Sequence, residues 1–314
     1  MVKQLSSLDV SFLVKELKDL EKSRVDKIFS FDREEIYIQF HKSNEGKKIL
    51  RVINGKSTFL ASQKKSDETP SHLCTMLRKN LEGKFLDSIE QIKPERILRL
   101  IFKSKDQEKR LYIELFGKGN IILCDDKDLI IECLIKHKFK DRSILPKHNY
   151  LHPKMQYNVF ELDKESISTL LSESTKDKLV SCLATELGLG GIISEEICLI
   201  SKVDKNKSPN KFNEKEIESI LKSIKSIVNK RTDPKIIYDN EAIDVVPADF
   251  EFCKGKESKK FSSFSEALEH YFLNEIKFLK KESKYEKQIN ELKRIIEEQE
   301  TTLKNFKAKE KESR

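Results

Sequence analysis

A chain of 314 residues is too long for one ordinary domain and suits two or three. Its 37% hydrophobic residues can fill cores, while 61 Lys+Arg against 53 Asp+Glu leave a net charge of +8, a mild bias toward an anionic partner. No run approaches the roughly 18 apolar residues of a membrane span, and no signal-peptide pattern opens the chain. The six cysteines form neither a CxxC nor zinc-ligand spacing with a histidine, so a reduced, cytoplasmic protein without metal or cofactor is expected.

The first element is a helix. Leu8, Phe12, Leu13, Leu17 and Leu20 form an apolar stripe, Ser6 or Ser7 can cap it, and Asp9 sits in its first turn, where a carboxylate suits the helix dipole. The period then falls to two. Val25–Phe31, Glu35–His41, Lys48–Ile53 and Ser57–Ala61 read as strands, the last pair joined by an Asn54-Gly55 hairpin. Pro70 opens a second helix through Leu73, Met76, Leu77 and Leu81, which Gly83 stops. A second strand block follows: Phe85–Ile92, Arg96–Phe102, Arg110–Leu115, Asn120–Cys124 and Leu129–Lys136. The expected fold class is α+β with a strand-rich first domain over 1–155.

Helical patterns return at Ile167–Leu171, Leu179–Leu187, Ser194–Ser201 and Glu214–Val228, giving a helical domain over 156–232. A connecting segment, 233–262, carries two β-like runs, Ile236–Tyr238 and Ala242–Val246. No Gly follows Gly255 and no Pro follows Pro247, so 263–314 reads as the start of one long helix. Tyr285, Ile289, Leu292, Ile296, Gln299, Leu303 and Phe306 alternate steps of four and three, a coiled-coil seam whose partner helix is expected elsewhere in a longer chain.

Enzymatic motifs are missing: there is no Walker A, no GxGxxG after a strand, no GxSxG and no HExxH. Basic stretches are present. Lys136, Lys138, Lys140, Arg142, Lys147 and Lys154 fall in one segment with Phe139 and Tyr150 interleaved, either a solvated loop or a surface on which a base can stack. Arg78, Lys79, Lys84, Arg96, Arg99, Lys103 and Arg110 surround the second strand block, although strand alternation sends Arg96 and Arg99 to opposite faces. Leu187-Gly188-Leu189-Gly190-Gly191 lies between two helical stretches. It is either a plain turn or a helix-hairpin-helix, whose open amides hold a phosphate without reading sequence.

These features resemble the NFACT family. The carriers are Leu5–Leu17 with Arg24–Ile28, Met76–Gly83, Pro94–Leu98, Glu114–Leu123 (which includes Lys118), the Leu187–Ile197 hairpin and Phe261–Phe272 leading into the coiled coil. The resemblance covers almost the whole chain and implies an NFACT-N domain similar to the N-terminal domain of formamidopyrimidine-DNA glycosylase. A helix-hairpin-helix domain and one coiled-coil arm would follow, its partner helix lying within the full-length protein. It implies a non-catalytic factor of ribosome quality control. Such a factor binds large ribosomal subunits, through rRNA and proteins, that still hold peptidyl-tRNA, and recruits charged tRNA, chiefly alanyl-tRNA, for untemplated C-terminal tailing.

The family's tRNA-recruiting positions fall on Asp9, Glu95 and Arg96, where Glu95 replaces the usual Asp. Arg96 is then the stronger contact, with Glu95 orienting it. Arg78, Lys79, Lys118, Lys136, Lys138 and Arg142 are candidate phosphate contacts, and Gly188 and Gly190 the hairpin backbone. The rival reading is a glycosylase-like DNA-binding protein or a DNA glycosylase. Positions 2 and 3 are Val2 and Lys3 rather than the nucleophilic Pro and catalytic Glu of those enzymes, which counts against catalysis.

Overall fold

The computed structural model describes residues 3–105, 107–139, 142–239, 241–273, 292–296 and 298–300. Period-two burial builds nine strands: β1 Arg24–Phe31, β2 Glu35–Lys42, β3 Gly46–Ile53, β4 Ser57–Ala61, β5 Phe85–Gln91, β6 Ile97–Ser104, β7 Gln107–Glu114, β8 Asn120–Cys124 and β9 Ile130–Cys133. They form one antiparallel sheet in the order β4-β3-β2-β1-β5-β6-β7-β8-β9, two meanders joined at β1 and β5. That junction is narrow, with Arg24 opposite Phe85 the only ladder pair.

Because the join is narrow, the sheet folds over on itself. Phe40 of β2 and Phe102 of β6 lie with ring centroids 6.5 Å apart and planes within 7°. At one end the β3–β4 turn meets the β7–β8 turn, where the Asn54 side-chain amide donates to the Lys118 carbonyl at 3.0 Å. Gly55 and Gly119 both have positive φ, and a Cβ on Gly119 would lie 2.1 Å from the Gly55 nitrogen. Only glycine permits that approach.

Two helices complete this part, α1 Ser7–Leu17 and α2 His72–Leu81. The second seals the edge of β1 that β5 leaves open. Arg78 Nε donates to the Ile28 carbonyl at 2.7 Å, and Glu82 Oε1 accepts from the Ile28 amide at 3.1 Å.

Four helices follow: α3 Lys164–Glu173, α4 Leu179–Glu186, α5 Gly190–Ser201 and α6 Glu214–Val228. The segment 233–262 contains a three-stranded sheet in the order β11-β10-β12, from β10 Lys235–Asp239, β11 Glu241–Val246 and β12 Glu257–Lys260. The third strand was not expected, since its residues are all polar and exposed and show no alternation. Buried Glu196 of α5 binds this region to the helices, accepting from the amides of Glu251 at 2.7 Å and Phe252 at 3.0 Å. Residues 1–269 form one compact unit, so the changes of class near 155 and 232 fall inside it.

A helix starting at Phe264 is capped by Glu16 of α1, whose carboxylate accepts from the amides of Phe264 at 2.5 Å and Ser265 at 2.9 Å. In the second unit, residues 292–296 and 298–300 are helical, with seam residues Leu292, Ile296 and Gln299 exposed. The other seam positions, Tyr285, Ile289, Leu303 and Phe306, lie outside the described residues. All six cysteines are buried and free.

Candidate nucleic-acid interface

The N-terminus of α1 is held by a reciprocal capping box. Ser6 Oγ accepts from the Asp9 amide at 3.1 Å, and Asp9 Oδ2 accepts from the Ser6 amide at 2.9 Å and from Ser6 Oγ at 2.8 Å. Asp9 is only 2% exposed, and Lys3 Nζ lies 3.5 Å from it and 3.0 Å from Asp244 of β11. Burial opposes the Lys3 charge, but the two carboxylates outweigh it and raise the Lys3 pKa. Asp9 therefore sits inside the molecule as cap and ion-pair partner, with one oxygen, Oδ1, buried and unpartnered.

From this helix start the contacts run outward. The Ser7 amide donates to the Gly188 carbonyl at 3.1 Å, and Ser7 Oγ donates to the Pro94 carbonyl. Gln91, at the end of β5, donates from Nε2 to the Ser7 carbonyl at 2.9 Å and to the Glu95 carbonyl at 3.0 Å. Glu95 Oε1 in turn accepts from the Met155 amide at 2.5 Å. A Cβ on Gly188 would meet the Met155 side chain at 3.2 Å, and one on Gly190 would meet Ser6 at 3.9 Å. Five residues expected from the sequence, Asp9, Glu95, Arg96, Gly188 and Gly190, thus lie in one bonded neighbourhood. Ser7, Gln91 and Met155, which join them, carry no motif and were not anticipated.

Within it Arg96 stands apart. Its side chain is half-buried and has neither a hydrogen bond nor an ion pair among the described residues. Burial lowers its pKa, against the field of Glu95. The Glu95 carboxyl is pushed up by the same burial, which the Met155 amide, His152 and Arg96 only partly oppose. Glu95 supplies an opposing field but no ion pair, so the donors of this half-buried guanidinium stay open to an anion. Across the Ser7–Gly188 bond, α5 has Leu189 at its N-cap, with no side-chain cap and no acid in its first turn. Gly190 and Gly191 are exposed, and a Cβ on Gly191 would meet nothing within 4 Å. Such an open start is suited to a phosphate.

The other candidate cations divide. Lys79, Lys118 and Lys138 are exposed, Lys118 in the turn that meets Asn54. Lys136 lies 3.5 Å from Glu132. Arg78 spends its Nε on the edge of β1. Arg142 leaves the set of free cations: it pairs with Glu114 at 2.6 Å, with side chains only 10% and 4% exposed, and packs over Phe139. Tyr150 is likewise no open stacking face. It is buried, its ring centroid 4.2 Å from that of Tyr112 and its hydroxyl donating to Glu114 at 3.0 Å. Phe139 remains 48% exposed. Among the second-block residues, Arg99 pairs with Glu90, and Arg110 with Glu108 and Asp128.

Among the described residues no group of three or more His, Cys, Asp or Glu side chains could hold a metal, and no helix is long and apolar enough to cross a membrane.

The family described as NFACT N-terminal and middle domains matches residues 6–314. The chain belongs to the NFACT family. It is 32% identical to the archaeal Rqc2 homolog aRqcH of Methanocaldococcus jannaschii, over 98% of this chain and 48% of that protein. It is 25% identical to the Rqc2 homolog RqcH of Streptococcus suis, over 94% of this chain and 52% of that one. The NFACT chain therefore spans about half the length of these curated relatives. In fold it is similar to the fibrinogen binding protein from Staphylococcus aureus, with a TM-score of 0.72 at 20% identity, covering 85% of this chain and 98% of that one.

Proposed function

We propose that this chain is the RNA-gripping part of a cytoplasmic ribosome quality control factor. The factor binds stalled large ribosomal subunits carrying peptidyl-tRNA and recruits charged tRNA, chiefly alanyl-tRNA, so that the ribosome extends the nascent chain without a template. The grip is non-catalytic. Arg96 takes an RNA phosphate, the uncapped start of α5 takes another in the manner of a helix-hairpin-helix, and Lys118 adds long-range attraction. RNA shape and phosphate spacing, rather than base edges, would select the partner. The heptad pattern from Tyr285 to Phe306 is read as one side of a coiled coil whose partner helix lies elsewhere in the full-length protein.

The observation that carries the reading is the half-buried Arg96 guanidinium, without a hydrogen bond or ion pair among the described residues, on the backbone that Gln91 and Ser7 link to the hairpin before the uncapped α5. The names of the relatives supply the biological setting. Sedimentation of the chain with large subunits bearing peptidyl-tRNA, with and without added alanyl-tRNA, tests it. Co-sedimentation that rises with the tRNA supports the proposal. Equal binding to empty subunits, with no effect of tRNA, contradicts it.

A further inference from the structure

Resting on the reading of Arg96 as an RNA contact, we infer that Gln91 is the positioning residue of that site, fixing where Arg96 stands relative to the start of α1 and the 187–190 hairpin. Gln91 closes β5 and pairs in the ladder with Leu98 of β6, so the sheet fixes its backbone. Its side chain points inward and is 8% exposed. From there its single side-chain nitrogen reaches three oxygens: the Ser7 carbonyl at 2.9 Å, Ser7 Oγ at 3.1 Å and the Glu95 carbonyl at 3.0 Å.

The Glu95 carbonyl belongs to the peptide directly before Arg96, and Ser7 is the residue whose amide holds Gly188. One carboxamide therefore bonds, at one remove, both halves of the proposed phosphate clamp. The Glu95 side chain is tied down separately by the Met155 amide. The backbone of Arg96 is thus fixed on two sides while its guanidinium stays free.

The carboxamide acts only as a donor. Its oxygen, Oε1, is buried and has no partner. An acceptor left unmade in the interior offsets part of what the three donated bonds contribute, so stability alone is not a full reason for a glutamine here. A fixed distance between a cation and an open helix start does give one, since a phosphate backbone presents its charges at set spacings.

The test is a double-variant cycle read by tRNA binding over a salt series, using Gln91→Glu, Gln91→Leu and Arg96→Ala singly and Gln91→Leu with Arg96→Ala. Gln91→Glu keeps the shape but turns a donor into an acceptor facing carbonyls. Gln91→Leu removes the donor at similar volume. The expected result is that each Gln91 variant lowers affinity by about fivefold or more and reduces the salt slope by about one, as Arg96→Ala does. Once Arg96 is alanine, Gln91→Leu should cost less than about twofold more, because residues acting through one network are not additive.

Thermal unfolding identifies which single variants are folded, and Gln91→Leu decides alone if Gln91→Glu is not. Wild-type affinity and slope in a folded Gln91 variant, or losses that multiply in the double variant, would overturn this inference and leave the RNA reading intact. Wild-type binding by Arg96→Ala would overturn both.

Discussion

The amide of Ser7 and the carbonyl of Gly188 are joined by one hydrogen bond of 3.1 Å, which sets the first turn of the first helix against the hairpin between α4 and α5. Residues from distant parts of the chain meet there, and their convergence brings Asp9, the backbone of Glu95 and Arg96, and the hairpin glycines into one neighbourhood. Asp9 contributes from inside, as the cap that orients Ser6 and Ser7. Arg96 is the member whose guanidinium has no hydrogen bond or ion pair among the described residues.

Arg142 provides a contrast. Replacing it with alanine leaves the buried Glu114 carboxylate with the Tyr150 hydroxyl as its one remaining side-chain partner among the described residues. Breaking a buried pair from one side costs roughly 3–5 kcal/mol, which urea unfolding should register. The salt slope of tRNA binding should stay at the wild-type value. A reduced slope with unchanged stability would return Arg142 to the set of phosphate contacts.

How much of this was legible in the sequence depends on the range of the interaction. Strand alternation, the Asn54-Gly55 turn and a serine cap at the start of α1 are local and appear where their residues predict them, the structure choosing Ser6 over Ser7 and adding the reciprocal bond to Asp9. The strand Glu257–Lys260 was missed because an exposed all-polar strand leaves no periodic trace. Arg142 and Tyr150 read as surface because their partners, Glu114 and Tyr112, lie on a strand far back in the sequence. The same blindness applies to Arg96 in reverse. Its lack of a partner is a property of what the fold keeps away from it.

The closure of the folded sheet should depend on Gly119. A methyl group there meets the backbone of Gly55 at 2.1–2.2 Å, and φ is +70°. Gly119→Ala is expected to lose more than about 3 kcal/mol, combining the left-handed backbone cost with overpacking. Gly46→Ala, where φ is +84° and nothing lies within 4 Å, should lose only the backbone part, roughly 1–2 kcal/mol. Equal losses at the two positions would mean that the turns do not abut.

Glu95 makes stability depend on pH in a definite direction. Burial, against the Met155 amide, His152 and Arg96, raises its folded pKa above the unfolded one. Between those two values the folded state holds a proton that the unfolded state has released, so stability falls as pH rises through the window. Glu95→Gln keeps an acceptor for the Met155 amide and removes the buried charge. Its melting temperature should equal or exceed wild type at pH 7 and converge with it below about pH 4, near the unfolded carboxylate pKa. Thermal melts across that range check this, and a variant less stable at neutral pH would show that the Glu95 charge is well compensated.

Arg96 itself offers the most direct test: the affinity of Arg96→Ala for charged tRNA measured across a salt series. An RNA phosphate held by this guanidinium predicts weaker binding at every salt concentration and a log–log slope shallower by about one, with unfolding little changed. An Arg96→Ala protein that is folded and keeps the wild-type affinity and slope would contradict the account.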